Sequence, residues 1–96
     1  MRKENPTRYS SAVGNAWMHF SFKTKYAHNI FDNFGIRNAT NALLVRACRK
    51  YNIPHKEIGF DSNHVHGMID IGNYSRPKAA KLLRGYIARK LFMLFP

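Results

Sequence analysis

Along this chain the spacing of apolar residues switches between two and three-to-four, and the order of the switches leaves few folds open. Residues 16–25 alternate. Met18, Phe20 and Phe22 fall on one face, and Trp17, His19, Ser21 and Lys23 on the other. Period two is the signature of a half-buried strand. Residues 26–37 carry Asn29, Asp32, Asn33 and Gly35 and read as a loop. From Asn38 to Tyr51 the residues Leu43, Leu44, Ala47, Cys48 and Tyr51 recur at three- and four-residue steps. That pattern predicts an amphipathic helix with Asn38 as its N-cap, and Pro54 stops any continuation. Residues 56–60 and 64–71 return to period two, with Ile58 and Phe60 sharing one face, then Val65, Ile69 and Ile71. Asp61-Ser62-Asn63 between them is turn-like. Ser75 and Pro77 open a second helix that runs to about Phe95. Its apolar side is Ala79, Leu83, Tyr86, Ile87, Met93 and Leu94, and its other side carries Lys78, Lys81, Arg84 and Arg89.

Strand, helix, strand, strand, helix is the βαββαβ order of a ferredoxin-like sandwich without its last strand. The expected class is therefore α+β, an antiparallel sheet with two helices on one face and the final strand missing from this chain. Residues 1–15 form the expected flexible basic arm, and residues 16–96 the C-terminally incomplete domain. A sheet one strand short has an open edge, which calls for a partner or for further chain.

Composition narrows the function. The chain has 96 residues, one domain's worth, and its 45% hydrophobic content suits a packed core rather than disorder. Its one cysteine, Cys48, forms no internal disulfide and no thiolate cluster, and it fits a reducing cytoplasm. No apolar run approaches the roughly 20 residues of a membrane span, and the charged N-terminus lacks the apolar stretch of a signal peptide. Sixteen Lys and Arg against five Asp and Glu leave a net charge of +11. An excess of that size on a small domain points to a polyanion, most often nucleic acid.

The chemistry-bearing residues gather on one face. His64 and His66 are two apart in a strand, so both imidazoles leave the sheet on the same side while Val65 points to the helices. Two imidazoles so placed can chelate one divalent ion. The same face would hold His19, Ser21, Lys23, Glu57, Asp61 and Asp70. His19, Asp61 and Glu57 are the candidates for a third ligand. Asp70 reads as a solvated strand residue, and His28 and His55 as surface loop residues. There is no acid from Pro77 to Pro96, so the cations of the second helix repel one another unless an anion lies against them. Lys23 and Lys25 can grip a backbone, and Tyr26 can stack on a base, an arrangement suited to single strands.

Three segments carry a resemblance: Asn63-His64-Val65-His66-Gly67-Met68-Ile69, then Lys81-Leu82-Leu83-Arg84-Gly85, then Arg89-Lys90-Leu91-Phe92-Met93-Leu94-Phe95-Pro96. Together with the aromatic strand Trp17 to Tyr26, they resemble the HUH single-tyrosine transposases of small insertion sequences that move as single-stranded DNA. The resemblance spans about residues 8–96. It implies a homodimer that binds a DNA hairpin in a prokaryotic cytoplasm. It also implies that a tyrosine attacks the scissile phosphate to leave a 5′-phosphotyrosine and a free 3′-hydroxyl. His64 and His66 match the family's ligands for Mg²⁺ or Mn²⁺, and Lys23, Lys25 and Arg84 fall where the family touches DNA. The family's nucleophile lies on a later helix, expected after Pro96. Tyr86, on the apolar side of the second helix, is only an outside candidate. The competing reading is a non-catalytic ferredoxin-like module that binds single-stranded nucleic acid, as RNA-recognition domains do with aromatics on the open sheet face.

Overall fold

A computed structural model describes residues 16–24 and 28–95. The arm at 1–15, together with Lys25 and Tyr26, lies outside the described residues. Strand β1 (Trp17–Lys23) is followed by a 3-10 turn at Ile30–Asp32, helix α1 (Phe34–Lys50), strands β2 (His55–Asp61) and β3 (His64–Asp70), and helix α2 (Arg76–Leu94). The sheet is antiparallel in the order β1-β3-β2. This is the expected α+β arrangement, with β3 in the middle.

The two helices cover one face of the sheet because each strand sends its apolar residues that way. Phe20 of β1 and Val65 and Ile69 of β3 are buried against Leu43, Leu44, Ala47 and Cys48 of α1 and Ala79, Leu83 and Ile87 of α2. Leu44, Ile69 and Leu83 are wholly buried. Each such side chain contributes about 1.5–3 kcal/mol relative to exposure, so this seam is the main stabilising feature of a small domain. Burial also pushes the Cys48 thiol up to about 12.

Helix α1 starts five residues earlier than its apolar spacing indicates. Asn33, not Asn38, is the N-cap, and its side-chain oxygen accepts the Ile36 N–H at 3.0 Å. Asn38 lies inside the helix, where Ile36 and buried Thr40 already face inward. The C-terminus is set by Asn52 rather than by Pro54. Asn52 sits at φ 59°, while its N–H donates to the Arg49 carbonyl and that of Ile53 to the Cys48 carbonyl. This is a Schellman ending with Asn in the left-handed position.

In α2, Ser75 caps Lys78 N–H at 3.2 Å and Pro77 stands in the first turn, as the sequence implies. The buried stripe is Ala79, Leu83 and Ile87, continued by half-buried Leu91. Met93 and Leu94, expected on the apolar side, are exposed with Phe92 at the end of the helix. Lys90 lies with its Nζ 5.7 Å from the Tyr86 ring centre. Asp70 is buried rather than solvated; its carboxylate accepts the Gly72 N–H at 3.0 Å and shapes the turn after β3. His55 is no loop residue: it starts β2 opposite Ile69.

Two outcomes follow. Asn33→Ala lowers unfolding free energy by about 1 kcal/mol in urea titration, whereas Asn38→Ala changes it little. Cys48 in the folded protein resists alkylation at pH 8 and reacts once denaturant unfolds it. Its protonated thiol stabilises the fold fully below the ordinary value of 9.0, and that contribution is lost as pH rises from there toward 12.

Candidate functional site

The sheet face turned away from the helices is polar, and the strand register decides what meets on it. Ser21 of β1 and Gly59 of β2 flank His66, and Lys23 and Asp61 flank His64. Cross-strand partners share a face. His64 and His66 therefore stand side by side on the central strand, with ring centroids 5.5 Å apart. Asp61 Oδ2 lies 2.9 Å from His64 Nε2 and 3.9 Å from His66 Nε2. One ligand atom from each of the three lies within 4.8 Å of the others.

Of the three candidate third ligands, the fold brings Asp61 to the histidines. His19 is on the same face but opposite Met68, further along β1. Glu57 is removed by a bulge. Lys56 pairs with Met68 and Gly59 with His66, so two residues of β2 oppose one of β3. Glu57 sits there at φ 57°, exposed. The bulge exchanges parities, and Lys56 takes a place on the open face with its Nζ 4.3 Å from the centre of the Trp17 ring.

The turn that joins Asp61 to His64 is held from two sides. Thr24 N–H donates to the Asn63 carbonyl at 2.8 Å and Phe31 N–H to that of Ser62 at 2.9 Å. The Ser62 hydroxyl donates to Asp32 Oδ1 at 2.6 Å. Asn63 Oδ1 stands 3.1 Å from His64 Nδ1, a hydrogen bond in the tautomer that carries its proton on Nδ1 and leaves Nε2, on the Asp61 side, as the ligand atom. Sequence reasoning missed these supports. Asn63 adjoins His64 and was open to notice, but nothing local links Asp32 to Ser62, thirty residues on.

The donor set fits a divalent ion. Two imidazole nitrogens and a carboxylate oxygen are ordinary ligands, and donors about 2.1 Å from a common ion stand at most about 4.2 Å apart.

The expected DNA-contacting residues occupy two regions. Lys23 is exposed beside His64 at the end of β1. Lys78, Lys81, Arg84 and Arg89 are exposed along α2, on the helix side, with the Arg84 guanidinium 5.8 Å from the centre of the Phe22 ring. An apolar cleft of about 280 Å³, lined by Phe22, Ile30, Phe31, Ile87 and Leu91 with Lys23 and Arg84, also opens toward the helices. Tyr86 is half-buried in α2, across the sheet from the histidines. Tyr51 is in the core, and the Tyr74 hydroxyl donates to its carbonyl at 3.1 Å. No helix among the described residues is long and apolar enough to cross a membrane.

The IS200-like transposase family is matched over residues 12–96, and the chain belongs to that family. Its fold is also similar to that of a candidate transposase from Deinococcus radiodurans R1, with a TM-score of 0.79 at 20% identity over 85% of this chain and 63% of the other. The chain thus spans less than two thirds of that protein's length, and at that identity the likeness is one of fold. No curated protein matches the sequence.

The bulge itself can be tested. Glu57 occupies a left-handed conformation that costs an ordinary residue about 1–2 kcal/mol and a β-branched one more. Glu57→Gly leaves thermal stability unchanged or higher, whereas Glu57→Val lowers it by about 1 kcal/mol or more.

Proposed function

We propose that this chain is the metal-binding core of a transposase that cuts and rejoins single-stranded DNA at hairpin-marked ends. The observation that carries the reading is the convergence of Asp61, His64 and His66 on an open, cation-flanked sheet face. In a protein with five acids against sixteen Lys and Arg, an exposed carboxylate between two imidazoles is out of keeping with a surface built only to hold phosphate. A carboxylate there repels a DNA strand unless a cation intervenes.

Asp61, His64 and His66 would hold Mg²⁺ or Mn²⁺ in this reading. Such an ion would supply Lewis acidity toward the scissile phosphate. Lys23, opposite His64, attracts the same phosphate and compensates charge that develops on it. The chain's residues thus position the phosphodiester and fix its orientation. The nucleophile in this reading is the tyrosine hydroxyl that the resemblance to single-strand transposases implies, and Tyr51, Tyr74 and Tyr86 instead pack in or against the core. The bond from tyrosine Oη to phosphorus forms as that from phosphorus to O3′ breaks. The product is a 5′-phosphotyrosine and a 3′-hydroxyl, which takes up the proton.

Lys78, Lys81, Arg84 and Arg89 bind DNA on the helix side, where no acid offsets them from Pro77 to Pro96. Lys25 and Tyr26 are further DNA contacts in this reading, on the strength of the sequence alone. A homodimer in the cytoplasm of a prokaryote completes the proposal, and its support is the resemblance to single-strand transposases rather than any contact in one copy.

The test is a denaturing mass measurement after incubation with a single-stranded hairpin and Mn²⁺. The expected result is a DNA-sized increment that disappears with chelator and in His64→Ala, while hairpin retention at low salt persists in the variant. Binding indifferent to chelator, with no increment, would leave a non-catalytic single-strand binding module.

A further inference from the structure

We infer that Gly59 is a positioning residue for His66, the bare surface that lets this imidazole lie against the sheet with Nε2 turned to Asp61. The inference rests on the metal-site reading above and adds a residue that carries no donor atom. Gly59 is the β2 partner of His66 in the register. A Cβ placed on it would stand 2.8 Å from His66 Cε1, 3.2 Å from Nε2 and 3.5 Å from Nδ1. Ordinary carbon contacts begin near 3.5 Å, so even a methyl group overlaps the ring. The ring is the rigid end of a short side chain. It has two torsions, and moving it off position 59 moves Nε2 with it.

The bulge explains why a glycine is there at all. Lys56 pairs with Met68, and in an unbroken antiparallel ladder Ile58 would then pair with His66. A branched side chain would occupy the place of the imidazole. The extra residue at Glu57 advances the register by one, so Gly59 arrives opposite His66. Ile58 instead reaches the helix side, where its Cδ1 lies 2.7 Å from a Cβ built on Gly67. The bulge and the two glycines form one device. Gly67 makes room for Ile58 below the sheet, and Gly59 makes room for His66 above it. The same one-residue advance preserves the Asp61 to His64 pairing that brings in the carboxylate.

The test uses Gly59→Ala with two readouts. In the metal-free protein, the His66 ring signals in ¹H–¹⁵N spectra shift while those of His64 and the Ile69 methyls stay in place. In metal titrations with Mn²⁺ followed by electron paramagnetic resonance, the dissociation constant rises about 10- to 100-fold, as when other supports of metal ligands are altered. Adding Gly59→Ala to His66→Ala then changes affinity no further, since the glycine acts only through that ring. Unmoved His66 signals would overturn the inference; so, where wild type binds Mn²⁺ and His64→Ala does not, would an affinity of Gly59→Ala within twofold of wild type or a further loss in the His66→Ala background. If the ring signals move but wild type and His64→Ala take up Mn²⁺ equally poorly, Gly59 keeps its positioning role and the metal-site reading fails instead.

Discussion

The central strand β3 faces two ways, and the rest of the molecule depends on that division. Val65 and Ile69 are buried beneath α1 and α2, and this fixes which side of the strand is inside. His64 and His66 are then obliged to stand on the other side, two residues apart, with no further energy spent on directing them. A slip of one residue would bury both imidazoles and expose the two aliphatic side chains. The hydrophobic seam therefore holds the functional face in register as well as stabilising the domain.

Around that strand the structure uses small devices to bring the third group in. The Ser62-Asn63 turn is tied by Thr24, Phe31 and Asp32, so Asp61 and His64 are presented from a fixed corner. The β2 bulge adjusts which residues oppose β3 without disturbing either end of the hairpin. The helix layer contributes differently, as a basic surface whose Lys and Arg side chains lie exposed and uncompensated by acids along α2. One face is organised around a few directed atoms and the other around summed charge. That separation suits the DNA-handling role proposed above for this member of the IS200-like transposase family.

Much of this was legible in the chain. Period two placed Met18, Phe20 and Phe22 toward the helices and put the two histidines together, because strand parity needs no knowledge of partners. What escaped depended on contacts or irregularities that parity does not encode. Glu57 and Asp61 share parity in the sequence, yet the bulge separates them, and only the Gly inside a strand pattern hinted at it. Asn33 and Asn38 are equally plausible caps by residue type, and the choice was made by Thr40 and Ile36 turning inward before Leu43. Asp70 looked like a solvated acid because its partner is a backbone N–H two residues ahead, in a turn. Met93 and Leu94 continued an apolar list, but periodicity does not say where along a helix the packing stops, and burial ends with Ile87 and half-buried Leu91.

The central claim is that Asp61, His64 and His66 share one divalent ion. Diffraction from crystals grown with Mn²⁺, recorded for its anomalous signal, tests this most directly. The account predicts a strong peak bounded by the Asp61 carboxylate and the two imidazole Nε2 atoms. Manganese bound only at Asp32, Glu57 or Asp70, or no peak between the histidines at saturating metal, would contradict it.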